Sequence, residues 1–193
     1  MISNTATLEL VSSFVPAADD LAAKSQELIL SMLRHTEAPF SRKQFKPGHI
    51  TCTAVVLSPD ARRVLLMYHH RHARWLLPGG HVENEDVTLA VTARREANEE
   101  TGVLLAPSTS ARLVGMDVHG IPAKRREPFH LHHDLIFALR AESEHFHVTD
   151  EAPRITWCRP EEFASHDVPA SIIRSATRAF AYFAKAGQGN LGF

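Results

Sequence analysis

Apolar positions along the chain recur first at helical and then at strand spacing. From Pro16 the run PAADDLAAKSQELILSMLRHTE carries Leu21, Leu28, Leu30, Met32 and Leu33 as an apolar stripe, with Asp19 and Asp20 suited to a first turn. This predicts a helix that ends near His35, before Pro39. Residues 1–15 show no strong period and predict little order. The segment PFSRKQFKPG reads as a connecting loop. Beyond it residues 49–57, HITCTAVVL, are rich in β-branched side chains and predict a strand, with Ser58-Pro59-Asp60 as a turn and Arg63 to Tyr68 as the hairpin partner. A short segment at Trp75 to Leu77 leads into Pro78-Gly79-Gly80, a breaker cluster expected to end any strand.

A second helix is predicted from a start between Asp86 and Thr88, either of which suits an N-cap, to Gly102 as its C-cap. Leu89, Ala90, Ala93 and Ala97 recur at helical spacing, and the alanines let the helix approach a sheet closely. Residues 112–119 and 130–139 predict two more strands around the basic loop IPAKRREPF. In the second of them His130, His132 and Asp134 face one way, and Leu131, His133 and Leu135 the other. Ile155 to Cys158 predicts a short strand, Pro160 to Ala164 a helical turn, and Ala170 to Ala184 a last helix before a frayed tail, residues 187–193. The order of elements is that of an α/β layered domain.

The acidic run in the middle helix fits this scheme poorly as structure alone. Glu96, Glu99 and Glu100 stand at i, i+3 and i+4, which gathers three carboxylates on about one third of the helix surface. Like charges at this spacing cost roughly 0.2–0.5 kcal/mol per pair, and the last turn is the negative end of the helix dipole. A divalent cation would relieve both penalties.

Composition narrows the alternatives. The chain has 193 residues, 44% hydrophobic and 22% charged, which suits one substantial core with peripheral elements. A net charge of −1 argues against a nucleic-acid partner, because the one basic cluster, Lys124-Arg125-Arg126, is short and followed by Glu127. No apolar run approaches the ~20 residues that span a bilayer. Two cysteines, Cys52 and Cys158, make neither a disulfide framework nor a four-ligand zinc site, and both fall in expected strands. The N-terminus lacks the pattern of a signal peptide, so a cytoplasmic location is expected.

The run P-G-G-H-V-E, Pro78 to Glu83, followed by R-E-A-N-E-E-T-G, Arg95 to Gly102, resembles the Nudix box of the Nudix hydrolases. The paired glycines and the R-E-x-x-E-E-x-G core are intact. From Gly80 to Arg95 the chain is one residue longer than the usual box, and the glutamate usually found midway is represented by Glu85-Asp86. The resemblance extends over roughly residues 48–160 through W-x-x-P-G-G-H-x-E, D-V-H-x-I-P and H-x-H-x-D, which a subset of Nudix proteins shares. It implies the Nudix fold, a mixed β-sheet sandwiched between α-helices, here with an added N-terminal helix. The expected division is residues 1–47 for that helix and its connecting loop, and 48–186 for the Nudix domain.

The resemblance further implies Mg²⁺- or Mn²⁺-dependent hydrolysis of a pyrophosphate bond in a nucleoside diphosphate linked to another moiety. Such a small-molecule phosphoanhydride is highly anionic, and hard cations that neutralise it prefer oxygen ligands. Gly80, Glu96, Glu99 and Glu100 are the expected metal ligands, Gly80 through its carbonyl. Arg95, Glu96 and Glu99 are the expected catalytic set, with Arg95 held to a box glutamate and either glutamate able to activate water. Trp75, His81, His119 and His132 are candidate substrate contacts.

Each of these four has a structural alternative: Trp75 as a packed sheet residue, His81 as a loop brace, and His119 and His132 as hydrogen-bonded structural histidines. His130, His132 and Asp134, sharing a face, suit a transition-metal or substrate site on one reading. His69, His70 and His72 beside Arg71 and Arg74 read first as a solvated hairpin end and second as a cationic rim for phosphates. A non-catalytic nucleotide-binding module on the same fold is the other functional class, and intact Arg95, Glu96, Glu99 and Glu100 argue against it. An isomerase on this fold needs a cysteine in the loop before the acidic helix, where this sequence has none. Assembly is open, with a homodimer among the alternatives.

Overall fold

The computed structural model describes residues 1–70, 73–106, 111–124, 126–150 and 152–188; Arg71, His72, Arg125 and tail residues 189–193, singled out above, lie outside them. Seven strands form one sheet: β1 (Gly48–Leu57), β2 (Val64–His69), β3 (Arg74–Leu76), β4 (Gly79–His81), β5 (Arg112–Ile121), β6 (His130–Arg140) and β7 (Ile155–Cys158). The main path runs β3-β2-β1-β6-β5, with β4 paired to β1 and β7 to β2. β1 and β6 are parallel along their whole length, His49 beside His132 and Thr51 beside Asp134, while the other pairs are antiparallel. The sheet is therefore mixed.

Helices cover both of its faces. Even-numbered residues of β1, among them Ile50, Cys52, Ala54 and Val56, pack with Leu135, Phe137 and Leu139 of β6 against α2 (Asp20–His35) and α3 (Leu89–Thr101). Odd-numbered Val55 and Leu57 join Ile136 and Ala138 against α4 (Ala170–Gln188) through Ile172, Ala176 and Ala179. This is the sandwich the sequence predicts. Each large side chain buried here contributes roughly 1.5–3 kcal/mol. Among the described residues no helix is long and apolar enough to cross a membrane.

Three expectations change. Residues near the N-terminus are ordered: Ser3 caps α1 (Asn4–Ser12), whose Val11 is fully buried against the α2 side of the core. Within α2 the buried face is Ala22, Ser25, Ile29, Met32 and Leu33, whereas Leu21 and Leu28 are exposed. Met32 and Leu33 of the expected stripe are buried and Leu30 packs against the core, but small Ala22 and Ser25 take the contact positions where the sequence predicts Leu21 and Leu28. Finally, Gly79-Gly80 does not end a strand. It forms β4, with Gly79 opposite Thr53 and Gly80 opposite Cys52.

Asp19 ties the first layer to the last. Its carboxylate caps α2 through the Ala22 N–H at 3.1 Å and accepts from Arg174 and Arg178 of α4 at 3.0 and 3.1 Å. Burial alone would raise its pKa, but the Ala22 N–H and the two guanidiniums outweigh it and hold the group below its usual value of 3.8. A lowered folded pKa contributes stability that is complete above the unfolded value and lost as pH falls through the folded one. Asp19→Ala should therefore cost about 1–2 kcal/mol in urea unfolding at neutral pH. That cost should shrink as the pH is taken below 3.8. A deficit independent of pH would disconnect the effect from the carboxylate's charge.

Candidate active site

Thr88 opens α3, its hydroxyl oxygen accepting from the Val91 N–H at 3.2 Å, and Gly102 closes it at φ 64°, a left-handed position that favours glycine. Leu89, Ala93 and Ala97 are buried in the core, and this fixes the helix rotation. The arc bearing Arg95, Glu96, Glu99 and Glu100 turns to β4.

Arg95 joins the parts of this region. Nε and one NH2 proton bind Asp86 at 3.2 and 3.0 Å, a two-point contact; the other NH2 proton meets the His81 carbonyl at 2.7 Å; NH1 reaches Glu96 and Glu99, each at 3.0 Å. All five donors of the guanidinium are thus engaged. These carboxylates raise the pKa of the guanidinium, the Asp86 hydrogen bond most of all.

Of the two adjacent acids, Asp86 and not Glu85 meets Arg95. It is 2% exposed and also accepts from the Glu83 N–H at 3.0 Å and the Thr92 hydroxyl at 2.8 Å, while Glu85 is exposed. Burial pushes the Asp86 carboxyl up, but Arg95, the Glu83 N–H and Thr92 together hold it below the ordinary range. The longer loop is closed by this single side chain.

The glycines have separate reasons. A Cβ on Gly79 would lie 2.6 Å from the Cys52 carbonyl oxygen, and one on Gly80 would lie 2.6 Å from the Glu96 carboxylate. β4 therefore meets β1 with one glycine and the acidic helix with the other. Glu100 accepts from the Gly79 N–H at 2.8 Å. Glu96 is 14% exposed at its side chain and Glu99 56%. Burial raises the Glu96 pKa; Arg95 offsets part of this, and the charges of Glu99 and Glu83 add to the rise. Gly80, Arg95, Glu96, Glu99 and Glu100 are thus gathered on one side of β4.

The candidate substrate contacts divide. Along β4 the side chain of His81 points away from Glu96, and its ring lies 5.1 Å from that of His49 and 5.2 Å from that of His132. His119 stands 5.5 Å from His132, its Nδ1 2.9 Å from Asp117, a contact that raises its pKa. Asp134 is buried beneath this group and accepts from Thr51 at 3.0 Å; burial raises its pKa. Trp75 packs edge-on with Tyr68 at 5.6 Å and His166 at 5.1 Å, with the Arg154 guanidinium 5.5 Å above its ring. His70 and Arg74 stand at the tip of the β2–β3 hairpin.

Sequence reasoning missed His49 and Arg154. His49 had a signal: in H-I-T-C-T the polar residues alternate, which marks one face of β1 as polar. Arg154, with its guanidinium 3.8 Å over the Tyr68 ring, had none, because the contact depends on how β7 pairs with β2.

The assignment of Asp86 is open to measurement. Asp86→Ala leaves the partly buried Arg95 without its two-point partner and should cost roughly 3 kcal/mol in chemical unfolding. Glu85→Ala should stay within about 0.5 kcal/mol of wild type. Equal losses in the two variants would return the role to the pair.

Residues 48–179 match the family model described as NUDIX domain. A CMP-5'-(N-acetyl-N-hydroxy-3-aminopropyl)phosphonate hydrolase from Streptomyces rubellomurinus is 46% identical over 52 residues, 25% of this chain and 25% of that one, so the match spans a quarter of the relative's length. A Nudix-family hydrolase from Clostridium perfringens superposes with a TM-score of 0.52 at 23% identity, over 70% of this chain and 97% of that one. The Nudix domain of NrtR from Shewanella oneidensis, solved with ADP ribose, gives 0.51 at 17% identity, over 80% and 97%. These two likenesses concern the fold. With the matched residues covering the mixed sheet, the glycine strand and the acidic helix braced against it, the chain belongs to the Nudix family.

Proposed function

We propose that this protein is a metal-dependent hydrolase of a phosphoanhydride bond in a nucleoside diphosphate linked to another moiety. The observation that carries this reading is the Arg95 brace, which holds Glu96 and Glu99 side by side where Gly80 lets the backbone approach the helix. Carboxylates gathered this closely, with burial and the charges of Glu99 and Glu83 disfavouring the Glu96 anion against the partial relief from Arg95, suit a hard cation. Gly80 by its carbonyl, with Glu96, Glu99 and Glu100, would hold Mg²⁺ or Mn²⁺. Such an ion supplies charge neutralisation at the phosphate and a more acidic bound water.

The chain's own residues have separable tasks. Arg95 orients Glu96 and Glu99 and fixes the His81 carbonyl, which holds the strand carrying Gly80 in place. Asp86 holds Arg95. Glu99, 56% exposed at its side chain, has the access to solvent that accepting a proton from water requires, whereas Glu96 is largely enclosed at 14%. Of the candidate substrate contacts, His81, His119 and His132 lie on the face of β4 turned away from Glu96 and Trp75 stands apart with Tyr68 and His166, so none of the four is beside the carboxylate set.

A panel of nucleoside diphosphate compounds, assayed for released monophosphate with Mg²⁺ and Mn²⁺, tests the reaction class. It should include a CMP-linked phosphonate and ADP ribose, which the names of two relatives bring in. Turnover of at least one member is expected. Tight binding of a member with no turnover of any would favour the non-catalytic module. For a substrate that turns over, Glu99→Gln should lower kcat by roughly 10²–10³-fold with the fold intact by circular dichroism. Near-normal kcat would remove Glu99 from the catalytic set. Gly80→Ala, whose methyl group displaces the Glu96 carboxylate, should lower kcat comparably.

A further inference from the structure

Three imidazoles converge on the face of the sheet that turns away from Glu96. β1 and β6 set His49 beside His132, and β4 brings His81 over them from its pairing with Thr51. The ring centroids of His49, His81 and His132 form a nearly equilateral triangle with sides of 5.1, 4.9 and 5.2 Å. One ligand nitrogen from each ring lies within 4.8 Å of the other two.

His49 supplies the independent observation. It is 1% exposed, and its Nδ1 lies 3.1 Å from the Gln44 carbonyl oxygen. A carbonyl only accepts, so Nδ1 carries the proton and Nε2 presents a lone pair. Nε2 is buried and has no hydrogen-bond partner among the described residues. A buried polar atom left in this state costs roughly 1–3 kcal/mol, which asks for an electron-pair acceptor at that point. Histidine ligands to metals commonly have this arrangement, with one ring nitrogen fixed by a carbonyl and the other turned to the ion.

We propose that His49, His81 and His132 form a second cation site, separate from the carboxylate set, that takes a borderline divalent transition ion of the Zn²⁺ class. The donors decide the class: imidazole nitrogens suit Zn²⁺ and its transition-metal neighbours, whereas Mg²⁺ prefers oxygen. A tetrahedral Zn²⁺ with Zn–N of ~2.0–2.1 Å holds its nitrogen ligands roughly 3.4 Å apart, an inward shift of at most about an ångström per ring from the observed spacing. His81 and His132 are half-buried, which leaves a route in. Three protein ligands leave a fourth position for water or for a phosphate oxygen. His130 packs against His49 at 5.1 Å and His132 at 5.3 Å and backs the site as a ring contact. The glycine strand thus presents Gly80 to one cation set and His81 to another.

The test reads metal binding on the full chain, and no turnover is needed, so its outcome is separate from the hydrolase reading. Zn²⁺ is titrated against a chromogenic chelator in excess Mg²⁺, which fills the oxygen-donor set. One equivalent per chain is expected. His81→Gln and His132→Gln should each weaken it at least tenfold, while Glu99→Gln should leave it unchanged. Co²⁺ in place of Zn²⁺ should give the visible absorption of a tetrahedral ion. Absence of a bound equivalent, or unchanged affinity in the folded histidine variants, overturns the proposal. If those variants lose their native circular dichroism, X-ray absorption of the Zn²⁺-loaded wild-type chain decides instead. Imidazole scattering from three nitrogens supports the site, and an oxygen-only shell overturns it.

Discussion

One guanidinium holds the acidic half of this molecule in register. Arg95 is a helix residue, yet its contacts reach the loop before the helix through Asp86, the end of β4 through the His81 carbonyl, and the helix face through Glu96 and Glu99. Three of those partners are carboxylates. Without a central cation of fixed geometry the carboxylates would splay toward solvent, and the loop would have no anchor on the helix. Lysine could not replace it, since a single ammonium lacks the planar fork that meets Asp86 at two points while still reaching three other acceptors. The brace explains how a mutually repelling group can be preassembled before any metal or substrate arrives.

The strand beside it divides the chemistry. Because side chains alternate along β4, Gly80 and His81 serve opposite faces although they are neighbours in sequence. One face is all oxygen and negative charge. The other is imidazole-rich, continued by the Asp117–His119 pair and by Thr51 on Asp134. The imidazole face is polar only at this end of the sheet. Further along, the same strands carry Val55, Leu57, Ile136 and Ala138 under α4, so rigidity comes from one half of the strand and reactivity from the other.

Much of this was legible from residue spacing. The β-branched run of β1, the alanine line of α3, Thr88 and Gly102 as its caps, and the clustering of Glu96, Glu99 and Glu100 all follow from local periodicity. What stayed hidden depends on partners distant in sequence. Gly79-Gly80 reads as a break by composition, and only the lateral approach of β1 and α3 makes it a strand. His49 looks like an incidental polar residue until β6 aligns His132 beside it. The burial of Asp86 rather than Glu85 is decided by the direction in which α3 presents Arg95 and Thr92. The N-terminal α1 is held by contact with the core rather than by an apolar period of its own, so its order could not be foreseen from its sequence.

The parallel register of β1 and β6 has a consequence for how such a sequence can change. Residues 83 positions apart, Thr51 and Asp134, are bonded neighbours because the two strands align without a bulge from Gly48 to Leu57. A single insertion or deletion inside either strand would invert every side chain beyond it, sending His132 toward the α3 core and Leu135 toward the polar face. The loop between β4 and α3 is under no such rule, since its length is absorbed between two fixed ends. An added residue in that loop shifts only the path to Asp86, whereas one added inside β1 or β6 exchanges the two faces of the sheet.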